Sequence, residues 1–377
     1  MRPIPFNRPF TGGASREYLL QALDHGHLSG DGEFTRRCRE LLEGALGVPR
    51  VLLTTSCTHA LEMAALLLDL GPGDEVVVPT FTFVSTVNAF VLRGVVPRFV
   101  DIRPDTLNLD ESKVEAVLSP RTRALVPVHY AGIGCEMDAL LSLARTHQLA
   151  VVEDNAHGLF ATYRGKWLGT FGDLATQSFH ETKNFSCGEG GALLINDPGL
   201  IERAEIIREK GTNRSRFFRG MVDKYTWVDL GSSYLPSELL AALLLAHLER
   251  REEVQQVRQA IWRRYETGLA DWASQQGVTL PVVPPQCGSG WHLFHLLLPT
   301  LDARERLIAH LKARAITAVF HYLPLHLSDM GRRFGGTEGQ CPVAETVSDR
   351  LVRLPFYYDL AAPDQDRVIE AIRAFKV

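Results

Sequence analysis

One lysine stands where a reactive amine would be useful. Lys183 lies in QSFHETKNFSCGEGGALLIN, between an apolar run typical of a β-strand and a glycine-rich segment. Most lysines occupy solvated positions and need no glycines beside them. Gly188, Gly190 and Gly191 remove side-chain bulk at points where a ligand or another backbone approaches. The pattern therefore suits a lysine that meets a flat, phosphorylated ring.

A carboxylate ends the apolar run AVVEDNA. Asp154 is costly in such a strand unless it meets a cation or hydrogen-bond donors, so it is a helix cap, a metal ligand or the partner of a cationic ligand. Glu153 and His157 are the neighbours that could share a metal, but strand alternation points Glu153 away from Asp154. We therefore predict no metal site.

Two further motifs precede predicted helices. In TTSCTHALEMAALL a strand ends and a helix begins near Thr58, so Ser56, Cys57 and Thr58 would offer N–H groups and hydroxyls to a phosphate, or simply cap the helix. In PTFTFVST, Phe81 and Phe83 either pack in the core or stack on a flat cofactor.

These four motifs together are the parts that pyridoxal 5′-phosphate requires. A lysine amine can condense with the cofactor aldehyde. An aspartate can hold a proton on the pyridine nitrogen, so that the ring draws electrons from the substrate Cα. The helix start can hold the phosphate. The sequence thus predicts that Lys183 carries this cofactor and that the glycines leave it room.

The elements that must position these residues follow from hydrophobic periodicity. Between residues 50 and 196, seven short β-rich runs alternate with helical patterns, as expected for a largely parallel sheet covered on both faces. Ligands of such sheets lie beyond the carboxyl ends of the strands, where the four motifs fall. We predict a large cofactor-binding domain over residues 1–240 and a small α+β domain over residues 241–377, with LLAALLLAHL as a buried helix.

Composition narrows the classes of function. The 377 residues carry a net charge of −4, which gives no basic excess for nucleic acid or a membrane surface. The six cysteines are scattered without a C-x-x-C pair, so we expect free thiols in the cytoplasm. Neither a signal peptide nor a membrane-spanning run is expected. The aromatic, weakly periodic segment GTNRSRFFRGMVDKYTWVDLGSS predicts an ordered loop or an arm that reaches a partner subunit.

Several stretches carry a resemblance to a known family. SFHETKN followed by GEGGALLIND, together with VPVHYAG, VVEDNAHG and FHYLPLH, resembles the DegT/DnrJ/EryC1/StrS sugar aminotransferases, most closely the dTDP-4-amino-4,6-dideoxy-sugar transaminases. The resemblance covers nearly the whole chain. It implies an α/β, aspartate aminotransferase-like (fold type I) enzyme with a mainly parallel seven-stranded sheet, a smaller C-terminal α+β domain, and active sites shared within a homodimer. The implied substrates are dTDP-4-keto-6-deoxy-D-glucose and L-glutamate.

The resemblance also implies roles for single residues. Lys183 matches the lysine that holds the cofactor, Asp154 the partner of the pyridine nitrogen, and Phe83 the stacking aromatic. Ser178 and the Cys57–Thr58 pair match phosphate ligands, with Ser56 beside them. Residues expected near the sugar nucleotide or the partner's site are Asn213, Arg214, Ser232, His321, Tyr322 and His326.

His157 departs from the close members of the family, which often carry glutamine there. The histidine could stack, hydrogen-bond the ring hydroxyl of the cofactor, or only pack. The intact Lys183 favours transamination over the related sugar dehydratases, in which histidine replaces the lysine.

Rival functions remain at this point. A 3-amino-sugar transaminase would be separated by product analysis, and the galacto and gluco configurations at C4 stay open. A non-enzymatic regulator lacks support because no DNA-binding helix pair or basic face is visible. A nicotinamide enzyme would need a G-x-G-x-x-G motif after its first strand, where this chain has none.

Overall fold

The computed structural model describes residues 2–377, and the seven β-rich runs form strands of one sheet. In chain order the strands are β1 (Arg50–Thr54), β2 (Glu75–Pro79), β3 (Val96–Val100), β4 (Thr122–Leu125), β5 (Ala150–Asp154), β6 (Thr162–Tyr163), β7 (Lys166–Trp167), β8 (Leu174–Ser178), β9 (Gly191–Ile195), β10 (Cys287–Gly288), β11 (His295–Leu297) and β12 (Leu351–Arg353).

The strand order of this sheet is β1-β9-β8-β5-β4-β2-β3. The pairs β3–β2, β2–β4, β4–β5 and β5–β8 are parallel, which confirms the predicted largely parallel sheet. Strand β9 runs antiparallel to both β8 and β1. Because of this reversal, the loop between β8 and β9 lies at the same sheet edge as the carboxyl ends of β5 and β8. That loop contains Lys183.

Helices cover the sheet and build the second domain. They are α1 (Ser15–Asp24), α2 (Glu33–Leu46), α3 (Cys57–Leu67), α4 (Ser85–Val91), α5 (Met137–His147), α6 (Ile201–Arg208), α7 (Arg214–Phe218), α8 (Glu238–Leu248), α9 (Arg251–Gln276), α10 (Leu301–Lys312), α11 (Asp329–Arg333), α12 (Pro342–Arg350) and α13 (Ala362–Arg373). Over residues 2–377, no helix has both the length and the apolar character needed to cross a bilayer.

Both faces of the sheet are buried, as alternation along the strands requires. Val76 and Val78 of β2 pack in the cluster that contains α3, whereas Val77 points to the opposite face and packs with α5. Helix α8 lies in a third cluster with α1 and α2, so LLAALLLAHL is the buried helix that its composition predicted. The carboxylate of Glu238 fixes this packing, because it accepts hydrogen bonds from Phe34 N and Thr35 N at the start of α2.

The small domain has its own core, to which α9, α10, α13 and the β11–β12 pair contribute. Ile4 joins this core and pairs with Ile316, so the N-terminal segment belongs to it as well. The division at residue 240 stays a prediction, and the packing refines it. Helix α8 lies in the large-domain core, and the small-domain core begins on α9 at Ile261.

Candidate active site

A cavity of about 750 Å³ opens between the two domains at the carboxyl ends of the strands. Its volume lies in the range typical of small-molecule sites. The large domain contributes strand ends and the start of α3, and the small domain contributes a loop and the end of β12. The predicted residues that line it are Ser56, Cys57, Thr58, Phe83, Asp154, His157, Ser178, Lys183, His321 and Tyr322.

Asp154 is a buried carboxylate without a cationic partner. It ends β5 with 4% of its surface exposed. Thr86 Oγ1 donates to one carboxylate oxygen at 2.7 Å, and Ala156 N donates to the other at 3.1 Å. Within residues 2–377 it forms no ion pair. A buried carboxylate with two neutral donors and an open side toward a cavity fits a protonated ring nitrogen.

The neighbouring carboxylate is used differently. Glu153 is fully buried and points to the other side of the strand, as alternation predicted. It meets His129 Nε2 at 2.9 Å and accepts from the N–H groups of Gly169, Phe171 and Gly172 at 2.7–2.8 Å. These donors satisfy it, so Glu153 holds the 169–172 loop and leaves no lone pair for a ligand.

Lys183 reaches the same cavity from the β8–β9 loop. Its backbone N–H donates to His180 O at 2.9 Å, which fixes the turn, and its side chain is half-buried. Burial lowers the pKa of Lys183 to about 8, against the smaller opposing effects of Cys57 and Asp154. A substantial fraction of the amine is therefore neutral near physiological pH, which condensation with an aldehyde requires.

The start of α3 offers groups that could hold a phosphate. Ser56 is its N-cap and accepts from His59 N at 3.1 Å, while Thr58 Oγ1 lies 2.8 Å from Ser85 Oγ. The first N–H groups of a helix have no intrahelical acceptor, so those of Cys57 and Thr58 can serve an anion. Ser178, at the end of β8, adds a hydroxyl to the same cavity.

Two of the three glycines after Lys183 are required by the backbone and not by the lysine side chain. A Cβ on Gly191 would lie 2.4 Å from Cys57 N, so only glycine lets β9 pass against the phosphate loop. Gly188 has φ +89°, a conformation that glycine favours. Of the three, Gly190 alone lines the cavity. The expectation that all three make room for the lysine was therefore wrong for Gly188 and Gly191.

Phe83 faces the cavity, whereas Phe81 belongs to the core. Phe83 is 57% exposed and lines the cavity, whereas Phe81 is buried against Tyr130 at a centroid distance of 5.4 Å. Such exposure of a phenyl ring inside a cavity leaves a face free for a flat ligand.

The structure defines the proton position on His157. Its Nδ1 accepts a hydrogen bond from Ala131 N at 3.3 Å. Burial holds the pKa of His157 well below its ordinary value, so the ring is neutral and carries its proton on Nε2. The ring also stacks on His292 at 4.1 Å. His157 therefore presents an N–H donor on a ring that lines the cavity.

The small-domain loop that lines the cavity is neutral and largely aromatic. His321 and Tyr322 stack at 3.5 Å, and the Tyr130 hydroxyl lies 2.7 Å from His321 Nδ1. Burial lowers the pKa of His321 and raises that of Tyr322, so both are uncharged at neutral pH. They offer donors and acceptors suited to hydroxyl and keto groups.

His326 does not share this wall, and its predicted place near the sugar is corrected. It is 0% exposed, with Thr80 Oγ1 2.6 Å from Nδ1 and Glu345 Oε1 2.9 Å from Nε2. Both ring nitrogens are occupied because the chain turns inward after Tyr322. His326 instead joins the end of β2 to α12 of the small domain.

Three predicted arm residues lie outside this chain's own cavity lining. Asn213 Oδ1 accepts from Thr226 N at 2.7 Å, Arg214 pairs with Glu209 at 3.0 Å, and Ser232 N donates to Ile207 O at 3.1 Å. They keep the arm ordered, and their approach to a partner's site stays a prediction.

Some cavity residues escaped the sequence reasoning. Thr86, which donates to Asp154, is the second residue of α4, and its Oγ1 also lies 2.8 Å from Thr82 Oγ1. Asn7 and Arg353 also line the cavity but come from irregular or terminal segments without a periodic signal. Over residues 2–377, no group of three or more side chains is arranged to hold a metal.

Comparisons with known proteins agree with this geometry. A model of the DegT/DnrJ/EryC1/StrS aminotransferase family matches residues 11–373. The chain is 34% identical to spore coat polysaccharide biosynthesis protein SpsC of Bacillus subtilis, with 98% of this chain and 96% of that protein covered. It is also 34% identical to GDP-perosamine synthase of Caulobacter vibrioides, with 97% and 96% covered. The PLP form of Spr1654 from Streptococcus pneumoniae superposes with a TM-score of 0.91 at 26% identity, covering 99% and 98%.

Proposed function

The chain belongs to the DegT/DnrJ/EryC1/StrS aminotransferase family, and from that premise we propose that it transfers the amino group of L-glutamate to C4 of dTDP-4-keto-6-deoxy-D-glucose. The products are 2-oxoglutarate and a dTDP-4-amino-4,6-dideoxyhexose. The family and its cofactor, pyridoxal 5′-phosphate, are established by the match, and the two substrates are the proposal.

One observation carries the chemistry. An unpaired buried carboxylate and an unpaired amine with a lowered pKa, Asp154 and Lys183, face one cavity beside a free helix N-terminus. Either charge would be costly there, because no ion pair within the described chain compensates it. A phosphorylated pyridine aldehyde matches all three groups at once.

With the cofactor bound, each of these residues would have a separate role. When bound, pyridoxal 5′-phosphate supplies an electron-withdrawing ring that lets a bond at the carbon beside the nitrogen break and re-form. Asp154 keeps the ring nitrogen protonated, and the α3 start and Ser178 hold the phosphate. Lys183 Nζ takes the proton from the Cα of glutamate and later delivers one to C4 of the sugar. Its lowered pKa suits both directions of transfer.

The small-domain wall would receive the sugar. His321 and Tyr322 are uncharged, so they can orient a keto oxygen and ring hydroxyls without adding charge near the reacting carbon. His157 Nε2–H would donate to the cofactor's ring hydroxyl, and the hydrogen bond of Ala131 N to Nδ1 supports this role among the three that the sequence left open.

The arm between α6 and α8 favours a shared-site homodimer. Phe218 and Trp227 expose 69% and 75% of their surface, and apolar side chains exposed this far favour burial against another chain. Co-purified mixed dimers of Lys183→Ala and an arm variant such as Asn213→Ala test this. A wild-type site should form from the two intact halves, and mixed dimers without regained activity would contradict sharing.

A cytoplasmic location is proposed from the thiols. All six cysteines lie within the described residues and are free. A reducing compartment keeps thiols in this state. Cell fractionation with detection of the native chain checks the location, and recovery outside the cytoplasmic fraction would count against it.

The test of the activity is direct product analysis. The purified holoenzyme is incubated with L-glutamate and either dTDP-4-keto-6-deoxy-D-glucose or the corresponding GDP-linked 4-keto-6-deoxy sugar, and the product is assigned by NMR. We expect nitrogen at C4 of the dTDP sugar. The GDP arm is included because a relative at 34% identity is a GDP-perosamine synthase. Loss of a hydroxyl without gain of nitrogen would identify the dehydratase instead, and amination of a dTDP-3-keto-6-deoxy sugar but not of the 4-keto sugar would identify the 3-amino transaminase.

A further inference from the structure

The side chain of Asn184, directly after Lys183, connects the lysine turn to the segment that precedes β11. Its Nδ2 donates to Gly290 O at 2.6 Å, and its Oδ1 lies 3.0 Å from His292 Nδ1. The bond from Nδ2 to a carbonyl fixes the orientation of the amide, so Oδ1 is left as an acceptor. His292 therefore carries a proton on Nδ1 and donates it to Asn184.

The ring of His292 is neutral and has only this one proton. It lines the cavity with 8% of its surface exposed. Burial lowers its pKa well below the ordinary value, and the cations near it lower it further: Lys183 from the β8–β9 loop, Arg258 from α9 and Arg353 from β12. Because the single proton is bound by Asn184, the orientation of the His292 ring is set by that hydrogen bond.

The backbone around His292 is also held in place. Arg258 donates from Nε to Trp291 O at 2.9 Å and from Nη2 to His292 O at 2.6 Å, and Gly290 N donates to Gly132 O at 2.8 Å. Trp291 has φ +50°, a conformation that residues other than glycine adopt only where the surroundings impose it. Both the backbone and the ring of His292 are thus fixed by hydrogen bonds.

The fixed ring of His292 supports the ring of His157. The two rings stack with centroids 4.1 Å apart and planes 24° apart. His157 has one side-chain hydrogen bond within residues 2–377, the bond of 3.3 Å from Ala131 N to Nδ1. One long hydrogen bond lets a ring turn about it, so the stack is the contact that sets the plane of the His157 ring. The direction of His157 Nε2–H follows from that plane.

We propose that Asn184 and His292 are positioning residues, which hold His157 Nε2–H toward the ring hydroxyl of pyridoxal 5′-phosphate. The inference rests on the proposed function, in which His157 donates that hydrogen bond. Asn184 does not line the cavity, so it acts through His292, and His292 acts through the stacked ring. The proposal has a measurable consequence, because a hydrogen bond to the ring oxygen stabilises the deprotonated form of that oxygen.

The pH dependence of the cofactor's long-wavelength absorbance tests this role in the holoenzyme without a substrate. At the midpoint of the change, the proton that the ring oxygen shares with the imine nitrogen is lost, and a donor to the oxygen loosens that proton. His157→Leu should therefore raise the midpoint by about one pH unit, as for loss of one hydrogen bond. Asn184→Leu should raise it by roughly half as much, and His292→Phe, which can stack but cannot donate to Asn184, by a similar amount. An unchanged midpoint in both of these variants would overturn the inference.

A double variant shows through which residue Asn184 acts. In a His157→Leu background, Asn184→Leu should add no more than about 0.2 pH unit, because the donor that it positions is already absent. Equal shifts in both backgrounds would mean that Asn184 only holds the Lys183 turn, which overturns the inference. Ser186→Ala is the matched control, because it removes an Oγ that accepts from Gly188 N at 3.1 Å in the same loop, outside the cavity lining. It should leave the midpoint unchanged, and a shift equal to that of Asn184→Leu would contradict the proposed role.

The tautomer of His292 gives a second readout, which needs no cofactor. In ¹⁵N NMR spectra of the cofactor-free protein, the imidazole signals that disappear in His292→Phe identify this ring. We expect a proton on Nδ1 in the wild type and a mixture of tautomers in Asn184→Leu, whereas a wild-type proton on Nε2 would overturn the inference.

Failure of this inference is distinguishable from failure of the proposed function. Neither the absorbance nor the NMR measurement uses a keto sugar, so an enzyme that aminates no dTDP-keto sugar refutes the substrate and leaves both measurements in force. An unchanged midpoint in His157→Leu refutes the hydrogen bond to the ring hydroxyl, and the positioning role of Asn184 with it. Transamination itself is then still decided by product analysis.

Discussion

The two walls of the cavity differ in what they are made of. The large-domain wall consists of strand ends, a helix start and the β8–β9 loop, and it carries both Asp154 and Lys183. The small-domain wall consists of a loop and the end of a two-stranded sheet, and its histidine and tyrosine are neutral. Three of the four charged residues that line the cavity, Asp154, Lys183 and Glu189, therefore lie on the wall framed by the seven-stranded sheet, and Arg353 at the end of β12 lies on the opposite wall.

This difference has a physical reason. A buried charge is tolerated only where its partner is placed accurately, and central strands place side chains more accurately than loops do. The neutral loop of the small-domain wall tolerates small displacements, because hydrogen bonds of hydroxyls and imidazoles cost less when misplaced than an unpaired charge does. The cofactor wall can thus be fixed while the opposite wall admits a larger substrate.

Removing the amine should give the largest effect on the charged wall. In Lys183→Ala the covalent attachment and the proton carrier disappear together, so turnover should fall on the order of 10⁴-fold or more. The bound form should also lose its long-wavelength absorbance, and borohydride should no longer label the peptide at this position. Spectra and steady-state rates check both. Normal turnover of this variant would place the reactive amine elsewhere.

Neutralising the carboxylate should come second. Asp154→Asn keeps the bond from Thr86 but removes the counter-charge, so the activation barrier should rise by about 3–4 kcal/mol with little change in fold. Asp173→Asn is the matched control, because Asp173 Oδ2 binds Val151 N at the opposite end of the same strand. Equal rate losses in the two variants would reduce Asp154 to a structural cap.

A methyl group at the phosphate loop should give a smaller effect. In Gly191→Ala the new Cβ would collide with Cys57 N and the Ser56 backbone, so β9 or the α3 start must shift. We expect cofactor affinity to weaken on the order of 10-fold or more, with kcat of the saturated enzyme less affected.

Gly44→Ala is the control for that substitution. Gly44 lies inside α2, and nothing lies within 4 Å of the position that its Cβ would take. Alanine there should keep or slightly raise stability, by up to about 1 kcal/mol. The affinity of each variant for pyridoxal 5′-phosphate is measured by titrating the cofactor-free protein with it. Equal affinities of the two variants would show that the start of α3 tolerates displacement.

The same contrast determines how much of the structure could be predicted from the sequence. Period-2 and period-3.6 patterns predicted every strand of the main sheet and the buried helix α8, because burial on two faces imposes those patterns. Asp154 and Ser56 were predictable because they lie at the ends of such elements, and Lys183 because glycines follow it in the loop after β8. The reversal of β9 was not predicted, since an apolar run has no direction.

The small-domain wall gave no comparable signal. His321 and His326 stand in one motif, FHYLPLH, yet one lines the cavity and the other is a buried link between Thr80 and Glu345. The path of the irregular loop determines which of the two histidines lines the cavity, and the amino-acid composition of the motif does not predict that path. Arg353 ends a three-residue strand, too short for periodicity to distinguish an inward from an outward side chain.

The smallest expected effect concerns protonation of the charged wall in the cofactor-free protein. The pKa of Lys183 is lowered to about 8 by burial, whereas the unfolded chain titrates this group near 10.5. Between these values the unfolded state binds more protons, so the free energy of unfolding should rise with pH across this window. Lys183→Met should lack this contribution. Urea unfolding of both cofactor-free proteins at pH 8 and pH 10 gives the change in the free energy of unfolding of each. The difference between the two changes reports Lys183, because the other titrating groups are the same in both proteins. Parallel pH dependences of the two proteins would mean that the amine is solvated, and that the two walls differ less in their burial of charge than the geometry indicates.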